Sequence, residues 1–193
     1  MKIENGEGAC RYAGVDKRFR LKTESSIRSA QSRASLEDGT AFQVITEDVD
    51  ISTADQNIFV LKNNDKENKA VITYIRMSTI GAAADNVAAY WTINLGGDYT
   101  SGGTALVPEN VNTSSGVKAT NLDCYDGTVA IVPSGTQTKI DKHFKCNTEQ
   151  TYNKEGALVI APGGMLTLKF KGSTAAGVAI ARVSFYLTDN GGT

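Results

Sequence analysis

Apolar and polar positions alternate most cleanly toward the C-terminal end of the chain. Between residues 165 and 171, Leu166, Leu168 and Phe170 fall on one side and Thr167, Lys169 and Lys171 on the other. Side chains of a strand alternate between faces with a period of two, so this stretch predicts a strand with one buried face and one wet face. Ahead of it, the apolar run 157–161 is closed by Pro162-Gly163-Gly164, a turn signal. After it, residues 172–177 lead into 178–187, a long run rich in β-branched and aromatic residues. The three together read as two strands joined by a tight turn and then a third, of antiparallel type.

The same period recurs upstream. Short strands are predicted at 42–46 and 49–52, and a more apolar, central one at 57–62 (with Ile58-Phe59-Val60-Leu61). Asn63-Asn64-Asp65-Lys66-Glu67-Asn68 reads as a polar loop of turn formers. A long strand follows at 70–78, with Ile72 and Tyr74 placed opposite Val71, Thr73, Ile75 and Met77. Residues 81–86 read as an alanine-rich loop or a single helical turn, and 87–95 as a strand ending at Gly96-Gly97. The region 98–152 is weakly patterned, with polar turn-prone clusters around one clear strand at 128–132. Long loops of this kind often carry the function of a β scaffold. About ten strands spaced without helices predict an all-β, antiparallel β-sandwich, and long crossing loops favour a jelly-roll-like order.

Residues 1–38 differ from the rest. From Cys10 to Ser35 the chain carries Arg11, Lys17, Arg18, Arg20, Lys22, Arg28 and Arg33 against Asp16 and Glu24, a local charge of +5. The chain as a whole is −1, which leaves −6 for the remainder. Ile27, Ala30 and Ala34 make too weak a stripe for a helix at 25–36. The expected organisation is an extended basic N-terminal arm over 1–38 and a β-sandwich domain over 39–193, the body starting at the turn Asp38-Gly39. Such an arm suits assembly, its arginines meeting the acidic surface of a neighbour through charge-assisted contacts.

Composition narrows the partners. At 193 residues one domain, or a domain with an arm, buries roughly 70% of its unfolded surface without disulfide support. A near-neutral charge speaks against a protein that coats nucleic acid, and no apolar run approaches the ~20 residues of a membrane helix. The first residues lack the apolar core of a signal peptide, and three widely spaced cysteines (Cys10, Cys124, Cys146) do not form a disulfide framework. The expectation is folding in a reducing cytoplasm.

Candidate chemistry is sparse. His143 is the only histidine and lies three residues before Cys146; with Cys124 the two make three soft ligands without a fourth, so no metal site is expected. A nucleophile elbow is absent, and His143 would have to serve as the base of any Cys124 or Cys146 pair. The acidic residues scatter through loops, and the glycine pairs lack the lysine of a phosphate loop and read as turns. No catalytic residue and no cofactor is expected. Of Tyr90 and Trp91, adjacent in a strand, one faces the core; a sugar-stacking Trp91 is the alternative to core packing.

Several stretches resemble one family. Ser29-Ala30-Gln31-Ser32-Arg33 leading to Asp38-Gly39-Thr40-Ala41-Phe42, then Ile58-Phe59-Val60-Leu61-Lys62-Asn63, residues 158–168 and Ala181-Arg182-Val183-Ser184-Phe185 are similar to virion structural proteins of tailed bacteriophages, particularly small capsid decoration (cement) proteins. The resemblance implies a non-enzymatic β-sandwich on the capsid surface of the virion, assembled in the host cytoplasm. It would bind the major capsid protein, as a homo-oligomer with a trimer favoured, and touch neither nucleic acid nor membrane. Partner binding is expected from Arg18, Arg20, Arg28 and Arg33, since arginine grips carboxylates bidentately. The alternative is a tail- or fibre-associated receptor- or carbohydrate-binding module that recognises its target through 98–152, with Tyr99, Tyr125 and Tyr152 exposed. A hydrolase on the same sandwich would need a buried carboxylate pair in a cleft.

Overall fold

The computed structural model describes residues 2–4, 10–12, 32, 34–81, 89–144, 149–153, 158–174 and 176–189. Fifteen strands run through them in chain order. They are β1 (Lys2–Glu4), β2 (Cys10–Tyr12), β3 (Ala41–Ile45), β4 (Val49–Asp50), β5 (Gln56–Asn63), β6 (Asn68–Ile80), β7 (Tyr90–Ser101) and β8 (Thr104–Leu106). Then come β9 (Glu109–Asn110), β10 (Leu122–Asp126), β11 (Val132–His143), β12 (Gln150–Tyr152), β13 (Leu158–Ile160), β14 (Met165–Lys171) and β15 (Val178–Asp189). A single wide helical turn, Ala34–Asp38, precedes β3. Among the described residues β1 and β2 pair only with each other; the rest of the expected arm before Ala34, apart from Ser32, and the loop expected at 81–86 beyond Gly81, lie outside the described residues.

The body is an antiparallel β-sandwich of two packed sheets. One has the order β11-β7-β14-β5-β10-β8, the other β12-β6-β15-β3-β9, with β13 also on β6 and β4 also on β15. Setting aside the separate pair β1 and β2, β4 and the inserted β8, β9 and β10, and counting β12 with β13 as one position, eight strand positions remain. Numbered along the chain, they lie 1-8-3-6 in one sheet and 2-7-4-5 in the other. That order makes the fold a jelly roll. The insertion between β7 and β11 extends both sheets on the same side, β9 beside β3 and β10 with β8 beside β5.

The core lies between the sheets. Phe42 of β3 stacks on its register partner Phe185 of β15 at 5.7 Å between ring centroids. In the opposite sheet Trp91 packs on Phe170 at 5.0 Å. Leu166, Leu168 and Phe170 point inward as their alternation predicts. β13 and β14 flank the Pro-Gly-Gly turn but do not pair; they enter different sheets, so the turn is a crossover between the layers.

Two irregularities reset the alternation. Opposite β15 the register skips Thr73, which donates its hydroxyl to Ser184 O. An unpaired extra residue shifts the phase of a strand. Ile72 before it and Ile75 and Met77 after it therefore all face the core, correcting the expectation that Ile72 opposes them. β7 likewise does not stop at Gly96-Gly97. Both glycines adopt positive φ (86° and 74°), and a Cβ at Gly97 would fall 2.7 Å from Ser134 O. The strand bends there and continues to Ser101, paired with β11.

Candidate functional site

Beyond that bend, the second half of β7 and the first half of β11 lie over the outer side of the six-stranded sheet. Tyr99 stacks on Tyr125 at 4.2 Å with planes 6° apart, and its hydroxyl donates to Gly102 O at 2.6 Å. Val60, Met165 and Ile131 fill a second small core beneath these rings. Lys62 reaches Asp98 at 2.7 Å and, through this bond, holds the Asp98 carboxyl below its ordinary range. Next to the rings, Gln137 Nε2 donates to Thr167 Oγ1, while Asn94 Nδ2 donates to Thr92 Oγ1 and Thr167 O. Thr167 is fully buried, so the face predicted to be wet is roofed at this position, where the polar groups satisfy one another, while Lys169 and Lys171 stay partly exposed.

This roof overturns several expectations. The strand predicted at 128–132 is the turn between β10 and β11; its apolar Ile131 anchors under the roof while Val129 is exposed. Tyr99 and Tyr125 are spent on each other, and Tyr152 is buried in the main core. None of the three is fully exposed as expected: Tyr99 and Tyr125 are half-buried and Tyr152 is buried. Trp91 is wholly buried, which leaves Tyr90 as the outward member of its pair. Cys124 sits in the main core with its thiol pushed up by burial, whereas His143 lies 3.5 Å from Asp141 at the end of β11. Cys146 and the arm arginines Arg18, Arg20, Arg28 and Arg33 lie outside the described residues. Among the described residues no group of three His, Cys, Asp or Glu is placed to hold a metal, and no helix is long and apolar enough to cross a membrane.

Two surface features have the form of sites. The first is a cleft of about 460 Å³ lined by Asp38, Thr40, Asp65, Asn68, Lys118 and Asn121, among others. Asp65 accepts from the backbone N–H of Glu67 (2.9 Å) and Asn68 (3.0 Å), and from the amides of Asn68 (3.2 Å) and Asn121 (3.3 Å). The two backbone donors are the main cause of its lowered pKa of about 2. A carboxylate held this far into its ionised form is a poor proton donor and a poor base near neutrality. Its partner Asn63, fully buried, donates to Asn68 O and Ile160 O and accepts from Asp65 N. The cluster braces the β5–β6 turn.

The second is a basic-aromatic patch at the other end of the six-stranded sheet. Lys142 Nζ lies 3.7 Å from the Tyr90 ring centroid, with Lys139 and Lys171 each at 6.0 Å, and Phe144 packs edge-on at 6.3 Å. Burial, with Asp55 nearby, raises the Tyr90 phenol above its ordinary range. Sequence reading missed this patch because three strands, β7, β11 and β14, contribute to it. Only the outward Tyr90 was in view.

No protein-family model matches the chain, and no curated protein matches it.

Proposed function

We propose that the protein is a non-enzymatic virion component of a tailed bacteriophage, a decoration protein that binds the major capsid protein and stabilises the shell. The body seats over junctions between shell subunits, as an oligomer with a trimer favoured, and Arg18, Arg20, Arg28 and Arg33 of the N-terminal segment bind carboxylates of the shell. The observation that carries the reading is a jelly-roll body joined to a charge-segregated N-terminal third. The basic arm is followed by residues 34–61, which hold Glu37, Asp38, Glu47, Asp48, Asp50 and Asp55 and not one lysine or arginine. A cation-rich segment beside an anion-rich one suits alternating contacts in a lattice of repeated subunits. The burial of Tyr152 in the main core, and the stacking of half-buried Tyr99 on Tyr125, favour this reading over a receptor-binding one that uses them as exposed contacts.

Co-sedimentation with undecorated shells of the same virion tests this. The full chain pellets with shells and raises their melting temperature, and replacing the four arm arginines by alanine weakens binding at least about tenfold. A chain that stays in the supernatant, yet binds host-cell glycans, overturns the proposal.

A further inference from the structure

The outer face of the seven-stranded sheet holds a small cleft of about 200 Å³, lined by Ile45, Arg76, Ser78, Ile180 and Arg182. Arg182 of β15 stands in register between Arg76 of β6 and Ile45 of β3. Like charges directly opposed on neighbouring strands repel. Glu149 relieves Arg76 by an ion pair. Arg182 has no such relief among the described residues, and its Nε is buried without a hydrogen-bond partner. Two guanidinium groups and a hydroxyl around one cleft form a socket suited to a carboxylate.

Carboxylates follow in the chain, between β3 and β4. Ile45 pairs with Arg182 and Val49 with Ala179, so residues 46–48 oppose only 180 and 181. The extra residue makes a bulge. Thr46 is tied down on both sides, its N–H donating to Ala181 O and its hydroxyl accepting from Ala181 N. Glu47 and Asp48 are left exposed, the Glu47 N–H donating to Asp126 Oδ2 at 3.4 Å. Among the described residues neither forms an ion pair, with Arg182 or with any other cation.

We infer that copies of this chain meet here, the Glu47-Asp48 bulge of one copy entering the Arg76–Arg182 cleft of the next. Charge complementarity selects a second copy as the occupant: among the described residues Arg182 of the socket and the Glu47 and Asp48 carboxylates are opposite in sign and form no ion pair within one chain. Ile45 and Ile80, 43% and 62% exposed, together with Ile180, supply apolar contact around the charges. Patches of this kind close into a two-fold pair or a ring. The inference is independent of capsid binding, since a self-associating jelly roll of any role would satisfy it.

The test is the solution mass of the full chain by light scattering over a concentration series, for the wild type, R182E, E47K/D48K and the three changes combined, with circular dichroism as the check on folding. The wild type associates. R182E and E47K/D48K each raise the dissociation constant at least about tenfold, and the combined variant, with its charges exchanged, recovers most of the loss. E47K/D48K alters exposed positions only, so it reads the contact even where R182E fails to fold. A monomeric wild type, an R182E or E47K/D48K protein that associates like wild type, or a combined variant no tighter than its parents overturns the inference. Shell co-sedimentation of the same variants reads capsid binding separately.

Discussion

Replacing Asp65 by asparagine removes one charge and turns an acceptor into a donor at the corner where β5 hands over to β6. The wild-type carboxylate receives two backbone N–H groups on Oδ1 and two side-chain amides on Oδ2. Asparagine keeps the first pair of contacts but confronts the second with an NH₂. The folded-state pKa of about 2 lies below the ordinary 3.8. At roughly 1.4 kcal/mol per unit that difference corresponds to a little over 2 kcal/mol, and the loop's nearness to water reduces it to about 1–2 kcal/mol. Because the folded value is depressed, this stabilisation is fully present above about pH 4 and is lost as the pH falls through about 2. Urea unfolding from pH 7 to pH 2 checks it. D65N should be less stable than wild type by about 1–2 kcal/mol at pH 7, and the two stability curves should converge in acid. Parallel curves, offset by the same amount at every pH, would refute the argument, since the loss would then owe nothing to the charge.

Other outcomes follow from burial. Leu168, fully buried, stands in register with Phe59 and Ile93, so Leu168→Ala should cost about 2–5 kcal/mol in guanidinium unfolding; a cost below about 1 kcal/mol would contradict the packing. The Cys124 thiol, raised by burial, should resist alkylation in the native state and react once the chain is unfolded. Peptide mapping by mass spectrometry reads this, and rapid native labelling at Cys124 would contradict it.

The strands that divide core from exterior were legible in sequence because burial writes a period of two: Leu166, Leu168 and Phe170 announced both a strand and its inner face. Thr167 misled for a physical reason. A threonine roofed by Gln137 has the same polarity as one in water, and only the neighbour 30 positions away tells them apart. β11 left no trace because an edge strand need bury little; Val132–His143 is mostly exposed, with Pro133 and three register shifts in its ladder. Its neighbour Ile131 misled in the opposite sense, an apolar residue anchoring a turn. The Arg76–Arg182 cleft and the Tyr90 patch each draw on three strands, so no spacing along the chain could mark them.

The jelly-roll order also governs when the protein can fold as it is made. β15 lies between β6 and β3, and Ala181 bonds to Thr46 across 135 positions. While the nascent chain lengthens, β3 and β6 leave the ribosome with the edges meant for β15 unpaired. Synthesis at about 5–20 residues per second makes that wait roughly 7–30 s. Long-range pairing is slow even after the last strand appears. Through that interval the chain presents sticky edges to every other copy being translated nearby, so weaker induction, with fewer copies made at once, should favour soluble yield.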